Sequence, residues 1–568
     1  MTDPTTGSPR LAAAAEVERK YRVHGLYRMP DLVAAGAVAR MEDLGVATLD
    51  ATYYDTDDLR LAREGITLRR RVGGDDEGWH LKLPVSVDGG TGVREEIHLP
   101  LDAAGPDEVA GDLRHLVGAV VRGDGLRPVA TLRTERRTFR LWASPAPLEP
   151  STARQHEGEQ APAEGVSEGE MAPAGAGAPE SQPVPVALLT DDVVSVLDTD
   201  GVMAARFREL ELEDLPDTDA GLIAATAAEV GRALASAGAV TGEFVSKAVR
   251  ALGPFAAAPP EVPEPAAVTP KQPARDAIRA HLARHTRRLR AADIGTRRDL
   301  PDSVHQMRVS ARRLRSGLRV FRPLLDREWA DALRDELAWV AGELGDYRDT
   351  EVLLERLEAH LDLLPEEVDR EAARVHIETV LTLRLAAARD RALAMLGSKR
   401  YHDLHVRLVH ASADPVTTAE ADLPGRTVVP PLVEGAWKKL AKQATRLLAD
   451  ERNLPGGAPD EEWHQTRISA KKARYAAEAA APVFGEDAAA FGKQLSRVTE
   501  VLGEHQDAAI AVDRIVELAH AEGVTAPAAF GLGALLGVER DSARATREEF
   551  AGIWVEVRHR RWRRWLSG

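Results

Sequence analysis

Cysteine is absent from all 568 residues. Disulfides and thiolate metal sites are therefore excluded, and any metal must sit on carboxylates or histidines. Such ligands favour hard cations, Mg²⁺ or Mn²⁺. Long apolar runs are missing as well, so nothing in the sequence spans a bilayer as a helix. The stretch Met1 to Pro9 lacks a basic segment followed by an apolar one, and the expectation is a cytoplasmic protein with no membrane partner. Aromatic residues make up only 4%, few for a reader of RNA that works by stacking bases. Basic excess is lacking too, since the net charge is −16. From Lys271 to Gly568 there are 48 Lys and Arg against 46 Asp and Glu, whereas the rest of the chain has 26 against 44. This balance argues against a general nucleic-acid partner, which calls for a basic footprint, but leaves room for a local basic pocket. Nothing in the sequence specifies an oligomeric state.

What is present suits a multi-domain α and β protein. At 44% apolar residues the composition is globular, and the length exceeds what one core serves. Residues 10–142 read as short strands of period two with a little helix. Residues 143–186, dominated by Ala, Pro, Gly, Glu, Ser and Gln, read as a disordered insertion. Strand pattern resumes from Val186 to Leu215, with a hairpin turn at Thr199-Asp200-Gly201, and a helix is expected over Asp219 to Ala237. The first domain is accordingly placed at 10–252. A Pro-rich linker over 253–273 follows, expected to be flexible and to span about 25 Å. An all-helical domain occupies 274–568.

The charges on the strands follow a rule. Glu16, Glu18 and Lys20 lie at i, i+2 and i+4, which puts them on one face of a strand. The same spacing recurs in Arg69 and Arg71, His80 and Lys82, Arg94 and Glu96, Thr134 and Arg136, and Glu209, Glu211 and Glu213. Apolar residues such as Leu81, Leu83, Leu210 and Leu212 take the opposite face. Any one of these strands could be amphipathic with its charges in solvent. Six together are explained by a closed antiparallel barrel with a charged interior. Clustered carboxylates there would hold a divalent cation, and clustered Lys and Arg would hold phosphate oxygens.

These blocks resemble the CYTH domain of the triphosphate tunnel metalloenzymes. Glu16-Val17-Glu18-Arg19-Lys20 matches the ExExK signature of that family. Tyr53-Tyr54-Asp55-Thr56, Leu68 to Arg71, Trp79 to Pro84, Arg208 to Glu213 and Ser246-Lys247 resemble its later blocks, in order. The resemblance implies metal ligation by Glu16, Glu18, Asp192, Glu209 and Glu211. It also implies catalytic roles for Glu16, Glu18, Lys20 and Lys82, and substrate binding by Arg69, Arg71, Glu96, Arg136 and Lys247. Glu95 and Asp191 adjoin Glu96 and Asp192, so the strand register at those two places stays open. Glu213 is an alternative to Glu211.

The helical half repeats itself. His305 to Arg315 (HQMRVSARRLR) returns as His464 to Arg474 (HQTRISAKKAR), and Leu344 to Asp349 (LGDYRD) returns as Leu502 to Asp507 (LGEHQD). Two copies of one helical unit are inferred, over 274–410 and 430–568. His305, Arg308, Arg312, Arg315, Arg319 and Arg322 step by 3 and 4, which forms a basic stripe about 25 Å long on one helix. Met307, Ala311, Leu314, Leu318 and Phe321 form the packing stripe beside it. The second copy carries His464, Arg467, Lys471 and Arg474. Like charges so spaced destabilise a helix unless carboxylates or an anionic ligand neutralise them, and Asp349 and Asp507 are candidate internal partners. These blocks resemble the CHAD domain, the conserved-histidine α-helical domain. That resemblance implies two four-helix-bundle repeats and polyphosphate binding by His305, Arg308, Arg312, Arg315, Arg319, His464, Arg467, Lys471 and Arg474. The Ser398-Lys399-Arg400-Tyr401 and Arg558–Arg564 runs would extend that surface.

The functional expectation is metal-dependent hydrolysis of inorganic triphosphate or a related triphosphate in the barrel, with polyphosphate held by the helices. The alternatives are a non-catalytic polyphosphate-binding module and a nucleotide enzyme such as an adenylate cyclase.

Overall fold

The structure, a computed structural model, describes residues 13–88, 91–105, 108–145, 182–198, 200–216, 218–242 and 245–567. The expected insertion falls almost wholly on 146–181, outside the described residues, as does Thr199 of the expected hairpin turn. The strands flanking the insertion run further toward it than expected, to Ala143 on one side and from Val184 on the other.

The chain divides into two compact units. One runs to Ala110 and includes Leu126–Ala258, and the other comprises Gly111–Gly125 and Pro259 onward.

The first unit is a barrel. Its strands are β1 (Ala13–Val23), β2 (Arg40–Asp55), β3 (Thr67–Val72), β4 (Gly78–Asp88), β5 (Thr91–Leu99), β6 (Arg127–Ala143), β7 (Val184–Leu197) and β8 (Met203–Asp214). They lie in the order β5-β4-β3-β2-β6-β7-β8-β1, and β1 pairs with β5 as well as β8, which closes the sheet. A two-residue strand, β9 (Val240–Thr241), adds to β1. Alternation then sends ionisable side chains inward and apolar ones outward. The apolar core consequently sits outside the barrel wall. Tyr21, Leu141, Leu189, Leu210 and Leu212 pack beneath Val230 and Leu234 of a covering helix, Ala220–Ser236. Asp219 caps that helix by accepting a hydrogen bond from the Leu222 N–H at 2.8 Å. Asp219→Ala is expected to lower the stability of this unit by about 1 kcal/mol, read from chemical denaturation. Asp55, in the Tyr-Tyr-Asp-Thr block, accepts hydrogen bonds from the N–H groups of Thr56, Leu61 and Ala62 and so shapes the turn into Arg60–Arg63.

The second unit is helical: α1 (Ala274–Arg297), α2 (Ser303–Val320), α3 (Arg327–Glu343), α4 (Gly345–Leu361), α5 (Arg370–Leu396), α6 (Lys399–Ala413), α7 (Gly425–Asn453), α8 (Asp460–Phe484), α9 (Glu486–Ala519) and α10 (Ala526–Val557). The repeat is visible in this order. The histidine motif lies on α2 in one copy and on α8 in the other. The Leu-Gly motif breaks α3 from α4 in the first copy, whereas α9 runs through its counterpart unbroken. The packing stripe Met307, Ala311, Leu314, Leu318 and Phe321 is buried as expected. It joins residues of α7, α8 and α9 in one core, so both copies share it. A second core joins α4 and α5 to α9 and α10.

Two segments differ from the expected boundaries. Gly111–Gly125, inside 10–252, belongs to the helical unit, because Ala119 lies in its main core and Arg122 pairs bidentately with Glu261 at 2.6 and 2.8 Å. From Pro259 onward the expected flexible linker is tied to the helices instead. Val262 is fully buried, and the Pro270 and Gln272 carbonyls accept from the Arg426 and Gly425 N–H groups. Proline-rich composition removed donors here, but carbonyl acceptors, the buried Val262 and Val268 and the Arg122–Glu261 pair fix the strap.

Candidate functional site

Strand closure brings the charged inward faces around a cavity of about 100 Å³. Two ion-pair clusters occupy its walls. In the first, Glu16 of β1 is bound by Lys82 of β4, and Lys82 also reaches Glu96 of β5 at 3.4 Å. Glu96 is 3.8 Å from Arg69 and accepts a hydrogen bond from His80 Nδ1–H at 2.7 Å. Burial holds His80 down at about 4, so its ring is neutral. Burial, followed by the adjacent Glu96 carboxyl, pushes Glu16 up to about 8 against the pull of Lys82. His80, Glu16, Lys82 and Arg69 together hold Glu96 far below the usual carboxylate range despite its burial. The two neighbouring carboxyls are thus pushed in opposite directions, Glu16 up and Glu96 down.

The second cluster centres on Lys247. Ser246 caps the short helix Lys247–Leu252 by accepting from the Val249 N–H, which fixes Lys247 in the first turn. Its Nζ lies 3.0 Å from Asp192, 3.0 Å from Glu209 and 2.7 Å from Glu211. Arg136 grips Asp192 bidentately at 2.8 and 2.6 Å and reaches Glu211 at 2.9 Å. Lys20 donates to Glu211 at 2.7 Å and lies 3.6 Å from Glu18. Against the cost of burial, Lys20, Lys247 and Arg136 hold the Glu211 carboxyl far below its ordinary range. Burial raises Glu213.

In the helical unit, part of the basic stripe is neutralised internally. Arg308 pairs with Asp349 at 2.8 Å, Arg322 with Asp331, Arg467 with Asp507 at 3.7 Å, and Arg474 with Glu478 at 2.8 Å. His464 Nδ1 lies 2.5 Å from the Gln506 side-chain oxygen. Burial lowers His305 below its ordinary value, in the company of Arg348, Arg312 and Arg308. Arg312, Arg315 and Arg319 of α2 and Lys471 of α8 line a groove of about 530 Å³ whose lining includes no carboxylate. Burial and then the Arg467 and Arg312 charges push the Lys471 amine down to about 8.

Comparison with known proteins places both halves. Matched against protein families, residues 14–150 fit the CYTH domain and residues 280–516 the CHAD domain. The uncharacterized protein Rv2226 of Mycobacterium tuberculosis is 31% identical over 547 residues, 95% of this chain and 96% of that protein. The chain belongs to the CYTH–CHAD family. Among solved structures, PptA from Streptomyces chartreusis is 27% identical, covering 50% of this chain and 99% of that one at a TM-score of 0.42. The CHAD domain from the plant Ricinus communis is 26% identical, covering 50% and 94% at a TM-score of 0.40.

In the CYTH unit, Glu16, Glu18, Lys20, Arg69, Arg71, Lys82, Glu96, Arg136, Glu211 and Lys247 all line the one cavity, and Glu213 joins them. Asp192 and Glu209 do not line it. Asp192 lies behind Arg136 and Lys247, and Glu209 behind Lys247 and Arg250, with 0% and 1% of their surfaces exposed. The open registers resolve in favour of Glu96 and Asp192, because Asp191 pairs instead with Arg208. Arg94, expected on the inward face with Glu96, lines the cavity too, and Tyr53, Thr67 and Asp76 join it unexpectedly. Thr67 was legible, being two residues before Arg69 on the same strand face. Tyr53 pairs with Arg69 across β2 and β3, which no single strand reveals. Asp76 reaches Arg71 from the β3–β4 connection, where periodicity carries no information.

CYTH proteins as a family use a divalent metal. Among the described residues no three carboxylate or imidazole groups converge as a metal cluster. The donor chemistry nevertheless fits a hard cation, since Glu16, Glu18, Glu211 and Glu213 turn carboxylates toward one cavity.

Proposed function

We propose that the CYTH unit hydrolyses inorganic triphosphate or a related triphosphate with Mg²⁺ or Mn²⁺, and that the CHAD unit binds polyphosphate. The setting is the cytoplasm, including polyphosphate granules. The supporting observation is the convergence of acidic and basic side chains from six strands and the Lys247 helix on one cavity. Arg69, Arg71, Arg136, Lys20, Lys82 and Lys247 supply the charge that a condensed phosphate needs, with bidentate arginine geometry suited to its oxygens. Glu16, Glu18 and Glu211 would hold the cation, which when bound neutralises phosphate charge and acidifies a water. Asp192 and Glu209 keep Lys247 and Arg136 protonated and oriented from behind. In the CHAD unit, Arg312, Arg315, Arg319 and Lys471 are the primary polyphosphate contacts. His305, Arg308, His464, Arg467 and Arg474 flank them.

The test is phosphate release from inorganic triphosphate with Mg²⁺ or Mn²⁺. Glu16→Ala/Glu18→Ala is expected to lose at least about 10²-fold in turnover, the scale of removing electrostatic stabilisation from a phosphoryl-transfer site. Absence of turnover in the wild type with either metal would reject the hydrolase. The second reading, a non-catalytic grip on polyphosphate, draws support from the ion pairs of Lys82 with Glu16 and Glu96 and of Lys20 with Glu211.

A further inference from the structure

The groove bounded by α2, α7 and α8 is lined by two unlike kinds of side chain. One kind is cationic: Arg312, Arg315, Arg319, Lys439, Lys471 and Lys472. Among the described residues none of these six forms an ion pair, and the Arg312 Nε–H is buried with no acceptor. The other kind is apolar, Val320, Pro323, Pro431, Leu432 and Ile468, and the Tyr475 ring lies 6.0 Å from the Arg312 guanidinium. A bare phosphate chain has no surface to set against these apolar groups, and pressing its oxygens there would strip their hydration without return. The volume of about 530 Å³ lies within the range of organic small-molecule sites, about 300–1,000 Å³. Ser316, Ser469 and the Tyr475 hydroxyl line the same groove and make no hydrogen bond to other described residues, so they are available to the polar edges of a planar body.

We infer that this groove binds a nucleoside polyphosphate, with the phosphates on the cationic side chains and the base against Leu432, Ile468 and Tyr475. The inference rests on the proposal that the CHAD unit takes condensed phosphates and narrows the ligand class at one part of that surface. Cations alone would not discriminate between inorganic and nucleoside-borne chains. The apolar part of the lining does, because only a ligand with an organic body gains by covering it.

The experiment is calorimetric titration of the full chain in excess EDTA, which suppresses metal-dependent turnover. The probes are ATP, inorganic triphosphate and long-chain polyphosphate. ATP is expected to bind at least about tenfold tighter than inorganic triphosphate, the increment of one stacked base. Tyr475→Leu/Leu432→Ser should remove that advantage and leave long-chain polyphosphate affinity in place, whereas Arg312→Glu should weaken all three. Equal affinity for ATP and inorganic triphosphate in the wild type would overturn the inference. So would an ATP advantage that survives Arg312→Glu, since the binding would then lie elsewhere. Polyphosphate binding without ATP binding would defeat this inference alone, and loss of both would defeat the CHAD reading beneath it.

Discussion

Lys247→Met is expected to destabilise the CYTH barrel by about 3–5 kcal/mol, the scale of removing one partner from a buried ion-pair network. Its Nζ lies within 3.0 Å of three carboxylates, and Asp192 and Glu209 are almost wholly enclosed. Arg136 and Arg250 cannot take over, because each already holds one of these carboxylates. Such a loss is a large fraction of the stability of an ordinary domain.

The pH dependence has a definite sign. In the wild type the Asp192 and Glu211 carboxyls lie below their ordinary values of 3.8 and 4.5, held there against burial chiefly by Arg136 and Lys247 for Asp192 and by Lys20 and Lys247 for Glu211. Their contribution is complete above those values and is lost as pH falls through the depressed ones. Without Lys247 the depression shrinks, so the deficit of the variant is greatest near neutrality and narrows in acid. Thermal unfolding of Lys247→Met and Lys247→Met/Glu209→Gln near neutral and acidic pH measures this, and the second substitution should recover part of the loss. A variant that melts with the wild type near neutrality would refute the buried-network account.

Arg312→Glu/Lys471→Glu is expected to weaken long-chain polyphosphate binding by at least about 10²-fold. Hydrogen bonds to charged groups contribute about 1.5–3 kcal/mol each, and two are lost with the sign of the charge reversed. Arg308→Glu should cost less, because Asp349 already neutralises that guanidinium. The wild-type affinity should fall as pH rises through about 8, where the Lys471 amine of the free protein gives up its proton while a bound polyanion would retain it. Lys471→Arg should flatten that dependence. Stability moves the other way. Between about 8 and the ordinary 10.5 the unfolded chain holds the Lys471 proton and the folded chain does not, so stability from this group rises with pH there. Titration at two pH values and two salt concentrations separates the groove from nonspecific attraction.

The division between local and long-range information is visible residue by residue. Period two put Glu16, Glu18 and Lys20 on one face of one strand, and they line one cavity. Steps of 3 and 4 put the Met307 to Phe321 stripe on the buried side of α2, and the basic stripe beside it. These are properties of a residue and its near neighbours, set by backbone geometry alone. Depth is not such a property. Asp192 and Glu209 obey the same alternation as Glu211, yet they are covered because Lys247 arrives from a helix more than thirty residues downstream. Register at Glu95–Glu96 and Asp191–Asp192 likewise waited for β4, β6 and β8 to supply partners.

The same holds in the helices. Which arginines stay free was decided by carboxylates distant in sequence: Arg308 by Asp349, 41 residues on, and Arg313 by Glu478, 165 residues on. The apolar lining of the groove comes partly from Pro431 and Leu432 of α7, which no motif marks. The sequence by itself therefore determined the two families, the elements and the face each charge occupies, because those follow from local periodicity and ordered motifs. Only the tertiary structure decided which charges are satisfied, which are sealed behind others and which remain for a ligand, because each of those depends on partners brought together by barrel closure and helix packing.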